Sequence, residues 1–223
     1  MLAVRLRLAL QTRLVDEYQP DPFAPPGERR RDPRRSDERF AAFDAHLPAG
    51  VPLSVLDVGC NEGFFLFNLA RRGGICLGVD QDLRGIMIGR SRATVHEVGN
   101  VAFARMAVDH DNVVGLPRAD VVLCLSVFHH WVRYLGLDEA QHLLRAVASR
   151  ADGSFVFETG QPNETGAKWT DALGFMGPDP EAWVRQTLLD LGFDRVEMVG
   201  RFPTTVSPVA RALFVASRSS GTP

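Results

Sequence analysis

Residues 54–82 give the clearest indication of the fold. They read Ser-Val-Leu-Asp-Val-Gly-Cys-Asn-Glu-Gly-Phe-Phe-Leu-Phe-Asn-Leu-Ala-Arg-Arg-Gly-Gly-Ile-Cys-Leu-Gly-Val-Asp-Gln-Asp. The apolar run Val55–Val58 predicts a buried strand, and Gly59 and Gly63 predict a tight turn into a helix over about residues 64–72. Asn61 fits the same turn, because asparagine tolerates the left-handed backbone region better than most residues. A second strand over 75–79 then follows. The stretch therefore predicts a strand, a turn, a helix and a strand.

Asp80 stands at the carboxyl end of that second strand. Ligands of open α/β sheets bind at this edge, where a carboxylate can accept hydrogen bonds from both ribose hydroxyls. A dinucleotide turn would have glycine where this chain has Asn61 and Phe64, and Glu62 adds negative charge where a pyrophosphate would lie. NAD and FAD are therefore disfavoured. A nucleoside cofactor that carries a carboxylate, an ammonium and a sulfonium fits the turn better.

The segments 57–63, 78–80 and 120–126 resemble the class I S-adenosylmethionine-dependent methyltransferases. The resemblance spans about residues 50–218 and implies S-adenosylmethionine as the cofactor and S-adenosylhomocysteine as its product. It places Asp57 and the turn around the methionine part, Asp80 on the ribose, and Asp109 near the adenine amino group, with Asp111 as the alternative. The implied cofactor-binding residues are Asp57, Gly59, Cys60, Asn61, Gly63, Asp80, Gln81, Asp109 and Ser126.

The rest of the chain alternates predicted strands with predicted helices. Strands are expected at 101–106, 121–125, 154–158, 195–199 and 212–217, and helices at 83–98, 138–150 and 180–191. This alternation predicts an α/β fold with a mostly parallel sheet covered on both faces. With the resemblance, we expect a Rossmann-like, seven-stranded methyltransferase domain over 51–223. Residues 1–50 are expected to form an amino-terminal arm with a short helix at 39–46, which either lies over the active site or is solvated.

The loop after the fourth strand, Ser-Val-Phe-His-His-Trp at 126–131, is expected to carry the chemistry. His129 or His130 is a candidate general base, and the alternative is a pair of capping or packing histidines. Trp131 and Phe128 line either the sulfonium pocket or the core. Glu158, which ends the fifth strand, is a third candidate catalytic residue; it either orients an acceptor or pairs with an arginine. No metal site is predicted, because no second cluster offers the missing ligands.

Composition agrees with one globular domain of 223 residues, 45% hydrophobic, with a formal net charge of −2. No run of 18 apolar residues exists, and Arg5 and Arg7 interrupt the apolar amino terminus. We therefore expect a cytoplasmic protein with no membrane partner. Cys60, Cys76 and Cys124 lack metal spacing and are expected to be reduced packing residues.

Three functions stay open from the sequence. The leading one is methyl transfer to an oxygen or nitrogen of a small-molecule metabolite, since a slightly acidic chain with one lysine lacks a broad basic face. The second is an RNA methyltransferase that uses the arginine-rich arm at 29–35. Residues 120–127, Trp131, Glu158 and Gln161 are similar to the methylphosphate capping enzymes of RNA 5′ ends, and the His-bearing loop resembles that of tRNA wobble-uridine transferases. The third is a non-catalytic cofactor-binding partner protein.

Overall fold

A seven-stranded sheet forms the centre of the computed structural model, which describes residues 18–25 and 32–219. The strand order is β3-β2-β1-β4-β5-β7-β6. Six strands run in the same direction, and β7 runs antiparallel to them. The predicted mostly parallel sheet is thereby confirmed. The strands are β1 (Val55–Val58), β2 (Cys76–Asp80), β3 (Val101–Arg105), β4 (Ala119–Leu125), β5 (Ala151–Glu158), β6 (Arg195–Phe202) and β7 (Arg211–Ser217).

Six α-helices in the described ranges pack on this sheet. They are α1 (Ser36–Asp44), α2 (Phe64–Ala70), α3 (Leu83–Val95), α4 (Phe128–Leu135), α5 (Leu137–Ala148) and α6 (Pro180–Asp190), with 3₁₀ turns at Val113–Gly115 and Thr170–Met176. Asp82 caps α3, because its side chain accepts hydrogen bonds from the backbone N–H groups of Arg84 and Gly85. Within these ranges, no helix has both the length and the apolar character needed to cross a bilayer.

Alternate residues of the central strand β4 enter two separate cores. Val122 and Cys124 pack with α4, α5 and α6 on one face of the sheet. Val121 and Leu123 pack with α1, α2 and α3 on the other face. All four side chains are fully buried, as expected for a parallel strand covered on both sides. The prediction of helices on both faces of the sheet is confirmed.

The segment after β4 differs from the prediction. Residues 126–131 are expected to form a loop, but the chain turns at Ser126 and enters α4 at Phe128. The helix forms because its apolar residues recur at three- and four-residue spacing, so that one face reaches the core while the histidines between them do not interrupt it. It ends at Gly136, whose φ of 88° is readily adopted by glycine. The apolar positions are Phe128, Trp131, Val132 and Leu135.

The amino-terminal segment 18–25 lies against α2 and the turn that precedes it. Gln19 Oε1 accepts a hydrogen bond of 3.1 Å from the backbone N–H of Phe64, at the start of α2. Arg71 donates to the carbonyl of Pro22 at 2.7 Å, and the ring of Phe23 stacks on His96 with centroids 3.8 Å apart. The arm therefore supplies a cap to the helix that follows the turn. Residues 1–17 and 26–31 of the predicted arm lie outside the described residues.

Glu62, in the turn, is buried in an ion pair. Its Oε2 accepts from Nη1 of Arg92 at 3.0 Å, its Oε1 accepts from the backbone N–H of Tyr18 at 3.2 Å, and Arg92 is fully buried. The carboxylate is thus neutralised inside the protein. The argument that Glu62 would repel a pyrophosphate is therefore wrong, and the case against a dinucleotide depends on Asn61 and Phe64 alone.

We expect Arg92→Met to lower the free energy of unfolding by about 3–5 kcal/mol, because the substitution leaves the Glu62 carboxylate buried without its guanidinium. Urea unfolding measures this loss. The double variant Arg92→Met/Glu62→Gln should recover much of it. Arg118→Met is the control, because Arg118 forms an exposed pair with Asp152 and should cost under about 1 kcal/mol. Equal losses for the two single variants would contradict the prediction.

Candidate functional site

A cavity of about 690 Å³ opens at the carboxyl ends of the central strands, where the strand order reverses between β1 and β4. Strand ends, the arm and one face of α4 all contribute to its wall. The lining residues are Tyr18, Gln19, Arg39, Asp57, Val58, Gly59, Asn61, Phe65, Val79, Asp80, Gln81, Met106, Ala107, Val108, Asp109, Leu125, Ser126, Val127, His130, Trp131, Tyr134 and Leu135.

The turn between β1 and α2 forms the floor of the cavity. Gly59 and Gly63 both have φ of 84°, and Asn61 has φ of 50°, so all three occupy the left-handed region. A Cβ atom on Gly59 would lie 2.3 Å from Cγ2 of Val127, which only glycine avoids. The sequence prediction that asparagine serves in this turn agrees with the observed backbone.

Asp80 lies at the end of β2 with both carboxylate oxygens partly engaged. Oδ2 accepts from the backbone N–H of Asn61 at 2.8 Å, and Oδ1 accepts from the N–H of Asp82 at 2.7 Å. Burial raises the pKa of Asp80, while these backbone hydrogen bonds oppose the rise. Each oxygen keeps a lone pair that can accept from a ligand hydroxyl. Asp80 therefore suits a ligand with neighbouring hydroxyl groups.

Asp57, in β1, is only 2% exposed and also lines the cavity. Its Oδ2 is buried and has no hydrogen-bond partner among the described residues. Burial raises the pKa of Asp57 to about 8, and the nearby Asp80 carboxylate adds to the rise. A buried acceptor without a donor indicates that a ligand supplies one. An ammonium group fits this position, because it both donates a hydrogen bond and neutralises the charge.

The segment after β3 forms the far wall of the cavity with Met106, Ala107, Val108 and Asp109. Oδ1 of Asp109 accepts from the backbone N–H groups of Asp111 and Asn112, both at 3.0 Å, and so holds the turn. The alternative, Asp111, does not line the cavity. Apolar side chains next to one acidic residue suit a flat heterocycle with an amino group.

The two adjacent histidine rings pack against each other, with centroids 4.3 Å apart, but only His130 lines the cavity. His129 is 1% exposed, lies outside the cavity, and its Nδ1 accepts from the backbone N–H of Gly160 at 2.9 Å. Burial, with the positive charge of Arg211, holds the pKa of His129 well below its usual value. His130 lines the cavity, and burial, then Arg211 and Arg133, lower its pKa as well. Both rings are therefore neutral at pH 7, and His130 is the one that reaches the cavity.

Glu158 belongs to a buried charge network beside the cavity rather than to its wall. Its Oε2 accepts from Nη2 of Arg39 at 2.7 Å, and its Oε1 accepts from the hydroxyl of Ser126 at 2.6 Å. Arg211 donates to Ser126 Oγ at 3.1 Å and binds both carboxylate oxygens of Glu164 at 2.7 Å. Ser126 and Arg39 line the cavity, so Glu158 acts on it through them.

Some predicted residues lie away from the cavity. The side chain of Cys60 is buried against Gly78 of β2, and Gly63 faces Phe103, where a Cβ would lie 2.5 Å from the ring. Phe128 is fully buried and stacks on Trp183 in the core, whereas Trp131 reaches the cavity. Gln81 and Ser126 line it as expected.

The sequence did not identify Tyr18, Gln19 and Arg39 as cavity residues. They come from the arm, where no motif surrounds them, and only the fold brings them to the strand ends. Tyr134 and Leu135 were missed because α4 was expected to be a loop. The charge network was missed because its members are far apart in sequence, such as Arg39 and Glu158.

The arginines proposed for RNA contact lie only partly in the described ranges. Arg34 donates to the carbonyl of Tyr18 and to Thr205 Oγ1, and Arg35 pairs with Glu38 at 3.4 Å. Residues 29–31 lie outside the described residues. The two described arginines thus have protein partners. No cluster of three or more metal-ligating side chains occurs in 18–25 or 32–219.

Comparison with known proteins finds that the chain is similar to methyltransferases. The family described as "Methyltransferase domain" matches residues 56–152. The chain is 31% identical over 170 residues to the O-antigen chain terminator bifunctional methyltransferase/kinase WbdD of Escherichia coli, covering 75% of this chain and 22% of that protein. It is 29% identical over 92 residues to the ubiquinone biosynthesis O-methyltransferase of Acinetobacter baylyi, covering 41% of this chain and 39% of that protein. The chain therefore spans about a fifth of the length of WbdD.

Solved structures of methyltransferases share the fold of this chain. WbdD superposes with a TM-score of 0.72 and 27% identity, covering 94% of this chain and 46% of that chain. Magnesium protoporphyrin IX methyltransferase ChlM of Synechocystis PCC 6803, solved with bound SAH, superposes with a TM-score of 0.59 over 82% of this chain and 81% of that chain. Its identity of 24% supports a shared fold alone.

We expect Asp57 to make the protein less stable as pH rises. The unfolded chain releases this proton near pH 3.8, whereas the folded protein holds it to about pH 8. The bound proton therefore stabilises the folded state fully below pH 3.8, and this stabilisation is lost progressively as pH rises to about 8. Between pH 6 and pH 9, the free energy of unfolding should fall by about 2–3 kcal/mol more in the parent protein than in Asp57→Asn. Urea unfolding at both pH values measures the difference, and parallel pH slopes would exclude a raised pKa.

Proposed function

We propose that this chain is a class I S-adenosylmethionine-dependent methyltransferase that transfers a methyl group from S-adenosylmethionine to an oxygen or nitrogen atom of a small-molecule acceptor. The observation that carries the proposal is the placement of Asp57 and Asp80 in one cavity, on either side of a left-handed turn. One carboxylate has a buried oxygen without a partner, and the other retains acceptor capacity for two hydroxyls. An adenosine with an amino-acid tail satisfies both.

The described residues fit this cofactor group by group. Asp80 would accept from the ribose hydroxyls, with Gln81 beside it, and Asp109 would face the adenine amino group. The Asp57 carboxylate would accept from the methionine ammonium. Gly59 and Asn61 would allow the backbone to approach the ligand closely. Their order along the cavity follows the strand order, which places β3, β2 and β1 side by side.

The cofactor, when bound, supplies a methyl group that is activated by a positive sulfonium. The chain contributes orientation, which is worth up to about 7–11 kcal/mol when reacting groups are well aligned. Trp131 presents an aromatic side chain to the same cavity and would stabilise a positive charge near its face.

We propose that His130 takes a proton from the acceptor. It lines the cavity, and its lowered pKa keeps the imidazole neutral and able to accept a proton at pH 7. His129 is held by Gly160 and packs against the His130 ring, with centroids 4.3 Å apart. We assign His129 a positioning role and His130 the role of general base.

A small acceptor is favoured by the size of the cavity. Its volume of about 690 Å³ lies in the range of small-molecule sites and must hold the cofactor as well as the acceptor. The name of the Acinetobacter relative refers to O-methylation in ubiquinone biosynthesis, which supports an oxygen atom of a metabolite as the acceptor.

Calorimetric titration with S-adenosylmethionine, S-adenosylhomocysteine and NAD tests the cofactor, and a metabolite screen that detects S-adenosylhomocysteine tests the transfer. We expect the first two ligands to bind and NAD to fail. Binding of NAD alone would overturn the proposal. Cofactor binding without turnover of any acceptor would instead favour a non-catalytic partner protein.

Asp80→Asn should weaken S-adenosylhomocysteine binding by about 10- to 100-fold, because the amide loses charge-assisted hydrogen bonds to the ribose. Asparagine keeps one side-chain oxygen for the turn, which limits rearrangement of the backbone. Asp111→Asn is the control, because this exposed carboxylate lies nearby but outside the cavity. Calorimetry measures both, and unchanged affinity in Asp80→Asn would refute the ribose role.

His130→Ala should lower turnover of an oxygen acceptor by about 10²- to 10⁴-fold, because the general base is removed. Affinity for S-adenosylhomocysteine should change little. His142→Ala serves as the control, because His142 is an exposed histidine on α5. Steady-state kinetics with an acceptor from the screen measures the effect. Turnover equal to that of His142→Ala would leave orientation alone as the source of catalysis.

A further inference from the structure

The ring of His130, the proposed general base, is held without a hydrogen bond. It lines the cavity, and no residue in 18–25 or 32–219 forms a hydrogen bond with its imidazole. A general base is normally oriented by a third group, because proton transfer requires hydrogen-bond reach to the reacting atom. Packing must therefore supply the orientation of this ring.

Three aromatic rings contact one another beside the cavity. The centroid of the His130 ring lies 4.3 Å from that of His129 and 5.2 Å from that of Trp169, which it meets edge to face at 76°. The rings of His129 and Trp169 are also 4.3 Å apart. Tyr134 lies 6.4 Å from His130 but is 68% exposed, so it gives less support. The His130 ring is therefore held chiefly by His129 and Trp169.

Trp169 is itself fixed by a buried carboxylate. Its Nε1 donates to Glu164 Oε2 at 3.1 Å, and Glu164 is fully buried. The same carboxylate accepts two bonds of 2.7 Å from Arg211 and one of 2.9 Å from the backbone N–H of Gln161. These donors use the whole acceptor capacity of a carboxylate, which is about four hydrogen bonds. The indole is thus attached to a rigid, fully paired group.

Gly160 lets the indole approach His129 closely. A Cβ atom at this position would lie 2.5 Å from Nε1 of Trp169 and 3.0 Å from Cγ of His129. The backbone N–H of Gly160 also donates to His129 Nδ1 at 2.9 Å. The packing has no room for one additional methyl group, so the positions of these rings are closely specified.

We propose that Trp169, held by Glu164, is a positioning residue that keeps the His130 imidazole directed into the cavity. The inference depends on the proposed function, because it requires His130 to act as the general base. Trp169 does not line the cavity, so it acts on the acceptor only through His130. Its contribution to turnover should therefore vanish when the imidazole is absent.

Trp169→Phe tests the inference, because phenylalanine keeps an aromatic ring but loses the hydrogen bond to Glu164. We expect kcat for an oxygen acceptor to fall about 10- to 100-fold, since a misplacement of about 1 Å can cost about 10²-fold. KM and the affinity for S-adenosylhomocysteine should not change. Trp183→Phe is the control and should keep the parent kcat, because Trp183 stacks on Phe128 in the core.

A double-mutant cycle separates positioning from a general loosening of the core. In the His130→Ala background, Trp169→Phe should change kcat by less than about 2-fold, because residues that act as a unit are not additive. An equal fall in both backgrounds, or no fall in either, overturns the inference.

Gly160→Ala gives a second test that keeps the indole but displaces it. We expect a fall in kcat that again disappears in the His130→Ala background. Gly174→Ala is its control, because a Cβ atom there would meet nothing within 4 Å. A parent-like kcat in Gly160→Ala would contradict the close packing on which the inference depends.

The single variants separate this inference from the proposed function. If His130→Ala turns over as fast as the parent protein, His130 is not the base, and both fail. If His130→Ala is slow while Trp169→Phe keeps the parent kcat, only the inference fails, and the base assignment stands.

Discussion

The geometry of the site follows from two acidic side chains on neighbouring parallel strands, the buried Asp57 and the half-buried Asp80. Asp57 of β1 pairs in register with Gly78 of β2, two residues before Asp80, so both acidic side chains lie on the same side of the sheet. Burial, and then repulsion by the Asp80 carboxylate, raises the pKa of Asp57 to about 8. The fold tolerates this because the backbone N–H groups of Asn61 and Asp82 stabilise Asp80. The two side chains thus present acceptor oxygens to the cavity, which suits a ligand with ammonium and hydroxyl groups.

A network of paired charges lies beside the cavity and reaches it through Arg39 and Ser126. Arg39, Glu158, Ser126, Arg211 and Glu164 form a continuous network that joins α1 to β4, β5 and β7. It holds Ser126 at a φ of 61°, a conformation that costs a non-glycine residue energy and persists only when its surroundings fix it. The arm is therefore coupled to the backbone at Ser126, which lines the cavity. A pKa of His130 lowered in part by Arg211 is another effect of the same network.

Most of the fold could be predicted because its signals are local. The apolar runs gave all seven strands within a few residues, and Asn61, Asp80 and His130 were identified from a turn, a strand end and a short motif. Helix α4 was not predicted, because its apolar face consists of only four residues and two histidines lie among them near the start of the helix. Arg39 and Glu158 are 119 positions apart, and no property of either segment specifies that pairing. Long-range polar contacts of this kind depend on tertiary structure, which the sequence pattern does not encode.

Helix α4 carries some residues that pack in the core and others that line the cavity and are exposed. Its Phe128 and Val132 belong to the core, whereas Tyr134 is 68% exposed and Leu135 is 49% exposed at the mouth of the cavity. Substitutions at exposed positions usually change stability by no more than about 0.5 kcal/mol. New side chains at these two positions can therefore accumulate by neutral drift. The mouth of the cavity can therefore change its shape during evolution while Asp57 and Asp80 stay unchanged.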